Sequence, residues 1–291
     1  MLPGLTFLDA VNFPSGSGTG DDRYGFDEGA GTAWVVDGAT DVGTMRLFPE
    51  AIDTGEGQIL GWESDAAWYA ERLSERFTRP PEQLESTRAY LERCIRDMAA
   101  KANEDAAVPI AGQPRHNLPS AGGIWMRRQD DHLEFAGLGD CMAIVEIDGH
   151  CQIIGDVEGI RAEYRMWGKA IGEQDRAAGF AKAREIRNVM NTDGNHWVFS
   201  LHPEAAAHAG IEQVRLRREN RILLMSDGFF RLIEPYQAYT AAQLMAEACE
   251  PDGLPALANA LRARERNPED DAAMGRLKTS DDACAVLVEI S

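Results

Sequence analysis

Apolar residues along this chain follow two rhythms, short runs bounded by turn residues and longer stretches with helical spacing. Ala33–Val36 is a run of β-formers that ends at the turn pair Asp37-Gly38, and the first 45 residues read as strands and loops. Ser64 stands where it would cap a helix carrying Trp68, Leu73 and Phe77 on one face. Pro81 marks the predicted start of a second helix, on which Leu84, Leu91, Ile95 and Met98 recur at helical spacing.

Residues 104–119 contain Pro109, Gly112, Pro114 and Pro119 and read as a loop. Four short apolar segments follow as a predicted antiparallel meander: Gly123–Arg127, Leu133–Leu138, Met142–Ile147 and Cys151–Ile154. Gln129-Asp130-Asp131, Gly139-Asp140 and the hairpin signal Asp148-Gly149 separate them. Residues 156–192 are polar and Ala-rich, which predicts a helical or irregular insertion. Strands are expected again at Trp197–Leu201, Gln213–Arg217 and Arg221–Met225, helices at Thr240–Cys249 and Leu254–Arg264, and a last strand at Ala283–Ile290. Helices gather between runs of strands and do not alternate with them. That order predicts an α+β sandwich over a doubly wound parallel sheet.

The chain has 291 residues, 44% of them apolar and 26% charged, which suits one globular domain over residues 1–291. Its formal net charge of -19 argues against nucleic acid and anionic membrane surfaces as partners. The five cysteines include no C-x-x-C pair, so neither a zinc site nor a disulfide framework is expected. Met1-Leu2-Pro3-Gly4 lacks the charged and apolar regions of a signal peptide, and no apolar run is long enough to span a bilayer. Together with the cysteine usage, this predicts a cytoplasmic protein.

The candidate chemistry lies in acidic residues at strand ends: Gly20-Asp21-Asp22-Arg23, Val35-Val36-Asp37-Gly38, Gly137-Leu138-Gly139-Asp140, Leu223-Leu224-Met225-Ser226-Asp227-Gly228 and Ser280-Asp281-Asp282. Any one of them suits an ordinary Asx turn. Five in one chain suggest convergence. Carboxylates gathered in a dry cleft repel one another and stay ionised together only around a cation. Hard oxygen donors without His or Cys select Mg²⁺ or Mn²⁺. Two such ions activate a water and clamp an in-line displacement at phosphorus. Ser15–Gly20 lacks the spacing of a phosphate-cradling loop, the six histidines lack metal-ligand spacing, and no G-x-S-x-G occurs.

Read in order, these blocks resemble the metal-dependent protein phosphatases of the 2C type. Leu223–Phe229 and Ser280–Val288 are the most specific matches, and Ser120-Ala121-Gly122-Gly123 is similar to the start of the family's central strand. The resemblance implies a four-layer αββα sandwich of two antiparallel sheets flanked by helices. It implies hydrolysis of phosphoserine or phosphothreonine in a phosphorylated protein by a dinuclear Mg²⁺ or Mn²⁺ centre and metal-bound hydroxide, with a third ion in some members. By that resemblance Asp37 bridges two metals and Gly38 offers a carbonyl. Asp227 and Asp281 hold the first metal, Asp21 the second, and Asp22 a metal-bound water. Asp140 joins Asp227 at the third.

This chain also departs from the family pattern. Asp37-Gly38-Ala39-Thr40-Asp41 replaces a Gly-rich segment, and Ala39 stands where eukaryotic members carry a His that acts as general acid. No Arg precedes Asp21-Asp22 to meet the substrate phosphate, and Arg231 stands where a second Asp often follows the Ser-Asp-Gly block. The basic residues of 156–192 suit a solvated helical face, whereas the resemblance implies that this region is the family's variable flap, with Arg184 and Arg187 as candidates for recognising the anionic substrate. Two other readings remain: an inactive regulatory module on the same fold, and a phosphatase of small metabolites.

Overall fold

The computed structural model describes residues 4–16, 18–50, 52–53, 59–82, 84–170, 176–267 and 280–291. Strands β1 (Leu5–Phe13), β2 (Arg23–Asp27) and β3 (Thr32–Gly38) come first, then a two-stranded ribbon of β4 (Ile52–Asp53) and β5 (Ile59–Leu60). Helices α1 (Asp65–Phe77) and α2 (Thr87–Asp105) precede β6 (Ala121–Arg128), β7 (His132–Leu138), β8 (Met142–Ile147) and β9 (His150–Ile154). Next are α3 (Val157–Ala170), α4 (Arg176–Val189), β10 (Gly210–Arg215), β11 (Arg221–Met225) and the single turn α5 (Asp227–Phe230). Helices α6 (Ala241–Ala248) and α7 (Gly253–Glu265) lead to β12 (Ala283–Ile290).

Two five-stranded antiparallel sheets form, ordered β1-β12-β11-β8-β9 and β10-β7-β6-β3-β2. The inner strands β3, β11 and β12 read as continuous apolar runs because both faces are covered. On β12, Cys284, Val286 and Val288 point between the sheets, where Val35, Ile124, Phe135 and Leu224 also pack. The alternate residues Ala283, Ala285 and Leu287 face Leu244, Leu254, Leu257 and Leu261 of α6 and α7. Across the molecule, Trp34, Val36 and Trp125 leave the other sheet to pack on Trp68, Leu73, Phe77, Leu91 and Ile95 of α1 and α2. The period-2 alternation therefore separates three apolar layers and produces the predicted αββα sandwich.

The structure corrects the sequence reading at three places. First, β7 and β8 are not neighbours in a meander: β7 pairs with β6 and β10, whereas β8 pairs with β9 and β11. Gly139-Asp140 is thus a crossing between sheets. Second, Trp197–Leu201 forms only an isolated bridge, Ala121 to Phe199. Third, α2 starts at Thr87, where the Ser86 hydroxyl accepts from Ala89 N; Leu84 has φ 73° and is 99% exposed, so it stands off the helix. The expected 156–192 insertion contains α3 and α4, and the side chains of residues 167–177 lie outside the described residues.

Helix α1 is tied to the strand ends by side-chain acceptors. Ser64 Oγ accepts from Ala67 N, and Asp41 accepts from Asp65 N at 2.8 Å and Ala66 N at 3.2 Å. These bonds satisfy first-turn donors that the helix cannot satisfy itself. Replacing Asp41 by Ala is expected to lower stability by about 1 kcal/mol, read as a fall in the urea midpoint with an unchanged slope.

Candidate metal centre

The cluster is assembled by strand register. Arg23 pairs with Val36 across β2 and β3, and Gly38 N donates to Asp21 O at 3.2 Å, so Asp22 falls beside Asp37. In the next strand Asp37 pairs with Gly122. A Cβ on Gly122 would collide with Asp140 Oδ1, so the missing side chain is what lets Asp140 reach Asp37 from the sheet crossing. Oxygens of Asp37 and Asp140 and the Cys141 sulfur lie within 4.8 Å of one another.

The second sheet supplies the other two acids. Ser226 N donates to Cys284 O at 3.0 Å, and Cys284 N donates to Ser226 Oγ at 3.0 Å, which ties the end of β11 to the start of β12. Asp227 and Asp281 project from these joined ends. A Cβ on Gly228 would strike the carbonyl of Asp282, so the Asp227-Gly228 pair answers a close backbone approach. The site therefore lies where the ends of the two sheets meet.

Electrostatics follow from this packing. Burial, then Asp282, Asp281 and Asp227, raise the Asp22 carboxyl well above the usual carboxylate range, although a hydrogen bond with Ser226 opposes the rise. Burial, Asp22, Asp227 and Asp140 raise Asp37 in the same way. Asp140 is raised by burial, Asp227 and Glu163. Asp22 is 1% exposed, and its Oδ2 has no hydrogen-bond partner among the described residues. An orphaned buried carboxylate oxygen beside other acids is what a cation would satisfy. The donors fit a hard divalent ion: they are oxygens, and burial and the surrounding carboxylates push the Cys141 thiol upward, away from the thiolate that softer metals take.

Of the sequence candidates, Asp22, Asp37, Asp140, Asp227 and Asp281 act on one another, and Gly38 adjoins them through its bond to the Asp21 carbonyl. Asp21 turns toward α1, where the Ser64 hydroxyl donates to it. Arg23 is a brace and does not face the cluster: it pairs with Glu71 at 2.5 Å and donates to the Gly20 and Asp22 carbonyls at 2.9 and 2.6 Å.

Four contributors received no role in the sequence reading, although Asp282 stood in the last acidic block and Arg231 was marked as a departure. Cys141 follows Asp140 directly but carries no spacing signal. Asp282 accepts from Ser15 N at 2.7 Å and Asp21 N at 2.5 Å, so it anchors the N-terminal loop. Arg231 lies 2.7 Å from Asp281 Oδ2 and 3.9 Å from Asp227 Oδ2. Burial works against its charge, but Asp281 and Asp227 outweigh that and hold the guanidinium protonated. Tyr164 of α3 lies close enough for Arg231, Asp227 and Asp140 to act on its phenol, and burial raises that phenol.

Arg187 of α4 donates to Thr40 O at 3.2 Å, and Arg184 donates to Val42 O at 2.7 Å. Burial lowers the Arg187 pKa, while Asp41, Asp140 and Glu163 act to raise it. Arg187 lines a cavity of about 250 Å³ with Asp41, Arg46, Asp65, His116 and Asn117.

Comparison with known proteins bears on this arrangement. The sequence matches no family model and no curated protein sequence. Solved structures are similar in fold along the whole chain. The Mycobacterium tuberculosis serine/threonine phosphatase PstP/Ppp has TM-score 0.54 and 12% identity, with 99% of each chain covered. The catalytic domain of PstP in complex with two manganese ions has TM-score 0.52, 12% identity and the same coverage. The S. agalactiae serine/threonine phosphatase also has TM-score 0.52, 12% identity and 99% coverage of each chain. The chain thus has the fold of the 2C-type serine/threonine phosphatases.

The raised carboxylates make a signed prediction. A raised folded-state pKa means that the metal-free folded chain binds more protons than the unfolded one. The penalty on folding is then absent below the ordinary Asp range and grows as pH rises toward the folded pKa. Asp37→Asn removes one such charge. In EDTA, the melting temperature of Asp37→Asn relative to wild type is expected to increase between about pH 5 and pH 8. A difference that stays flat or shrinks across that range contradicts the cluster.

Proposed function

We propose that this chain is a divalent-metal-dependent phosphatase acting on phosphoserine and phosphothreonine esters in proteins. The observation that carries the reading is the convergence of buried Asp22 with half-buried Asp37, Asp140, Asp227 and Asp281 from the ends of two sheets, with Asp22 Oδ2 left without a partner among the described residues. Among the folds compared, the PstP catalytic domain carries two manganese ions, which supports Mn²⁺ or Mg²⁺ as the ions here. Asp37, Asp140, Asp227 and Asp281 would hold them, with Asp21 and the Gly38 carbonyl at the edge nearest α1. When bound, such ions lower the pKa of a water and neutralise charge on the transferring phosphoryl group.

The chain's own residues supply position and exclusion. Asp22 is buried beside Asp37 and oriented by Ser226, so it is placed to accept a hydrogen bond from the attacking water. Helices α3 and α4 act as a flap. Glu163 and Tyr164 lie close to the acids, and half-buried Arg187, on which Asp140 and Glu163 act, lines a neighbouring cavity. Arg187 takes the role of phosphate recognition that no arginine fills before Asp21. Ala39 has no proton to give, so a water or another group must protonate the leaving oxygen. Among the described residues no helix is long and apolar enough to cross a membrane.

Hydrolysis of p-nitrophenyl phosphate is expected to require Mn²⁺ or Mg²⁺, to stop with EDTA, and to fail in Asp37→Asn and Asp227→Asn with the fold intact. The loss should exceed the roughly 10–100-fold that removal of an outer-shell partner costs. Metal-independent turnover, or full turnover in Asp227→Asn, would reject the reading. On a phosphopeptide, Arg187→Gln is expected to raise KM by about tenfold or more and to lower kcat less, with a smaller effect for Arg184→Gln. Unchanged KM in both variants removes the flap from substrate recognition.

A further inference from the structure

The acids of the cluster are not equally short of positive charge. Arg231 is 6% exposed and reaches the Asp227–Asp281 side alone. Its Nη2 lies 2.7 Å from Asp281 Oδ2, while Asp281 Oδ1 accepts from Asp282 N at 3.2 Å. Both carboxylate oxygens of Asp281 are thus engaged. Behind Arg231, Glu265 has a fully buried side chain, 3.6 Å from Arg231 Nη1 and 2.5 Å from Arg262 Nη1. The network holds three carboxylates, Asp227, Asp281 and Glu265, against two guanidinium groups. On the other side, among the described residues no arginine or lysine forms an ion pair with Asp22, Asp37 or Asp140.

We infer that Arg231 is a built-in cation that competes with metal for Asp281, so that the centre loads unevenly, with one ion held tightly and any ion that uses Asp281 held weakly. The inference rests on the metal-dependent reading above and deepens it. A fixed positive charge at this distance repels an incoming divalent ion and occupies a lone pair that the ion would use. Arg231 is a positioning residue: it sets the orientation and charge of Asp281 and does not itself face the reacting phosphate. Without Arg231, Glu265 still keeps Arg262 as its partner, so the buried acid is not orphaned.

The test is a calorimetric titration of the metal-free full chain with Mn²⁺ alone, comparing wild type, Arg231→Met and Arg231→Lys. Wild type is expected to show two phases of unequal affinity. Arg231→Met should tighten the weaker phase by about tenfold or more, a factor equivalent to about 1.4 kcal/mol. It should also gain more melting temperature from Mn²⁺ than wild type does. Arg231→Lys keeps the charge and should titrate like wild type.

Mn²⁺ binding in Arg231→Met that is unchanged or weaker overturns the inference, because a purely orienting arginine gives that result. Two equally tight ions in wild type overturn it as well, and that measurement stands even if Arg231→Met does not fold. Absence of any Mn²⁺ binding in wild type and variants rejects the metal-dependent reading and this inference with it. Unequal loading lost in Asp227→Asn but kept in Arg231→Lys supports both.

Discussion

Repulsion among closely gathered carboxylates is the constraint on which the rest of this structure depends. Two like charges about 4 Å apart at a protein-like dielectric oppose each other by about 4 kcal/mol, and here buried Asp22 and half-buried Asp37, Asp140 and Asp227 press on one another. A flexible loop would let such groups drift apart into water. This fold prevents that by mounting them on the ends of hydrogen-bonded strands whose register is set by apolar layers on both faces. Asp37 cannot move away from Gly122 without breaking the β3–β6 ladder. Asp227 and Asp281 are likewise tied by the bonds between Ser226 and Cys284.

The acidic residues divide by partner more than by sequence context. Asp65 is 3% exposed, accepts from Leu47 N and Phe48 N at 2.7 and 3.1 Å and pairs with Arg46 Nε at 3.2 Å, so backbone donors and a guanidinium balance its charge. Asp41 serves the start of α1, and Asp282 the N-terminal loop. These acids hold the frame. Among the described residues Asp22, Asp37 and Asp140 have fewer such donors, Ser226 being one for Asp22, and carry raised pKa values instead. The same residue type therefore does two kinds of work within a few residues, as at Asp281 and Asp282, where one pairs with an arginine and the next with backbone amides.

Strand ends suit such a site for a further reason. Side chains in the middle of these strands are committed to one of three apolar layers, and only at the ends can a polar group leave the core without disturbing it. The insertion after β9 then places α3 and α4 beside those ends, so residues distant in sequence, such as Tyr164 and Arg187, come close to Asp140. Long-range packing of this kind excludes water and fixes charge without lengthening any strand.

The sequence by itself determined the layer architecture and the acidic set. Alternating apolar runs carry the strands, Ser64 carries the start of α1, and the turn pairs mark Asp37, Asp140 and Asp227, because strand propensity, capping and turn chemistry are local. It also marked Arg231 as a departure but gave no role for it. Only the tertiary structure decided that Gly139-Asp140 crosses between sheets, that Gly122 and Gly228 are small because another chain segment lies against them, and that Asp282 holds a loop while Asp281 meets a guanidinium. Those outcomes depend on which distant segment arrives at each strand end. Local pattern records where a side chain leaves the core, whereas its partner, and hence its charge state and chemistry, is set by contacts that packing of the whole sandwich brings together.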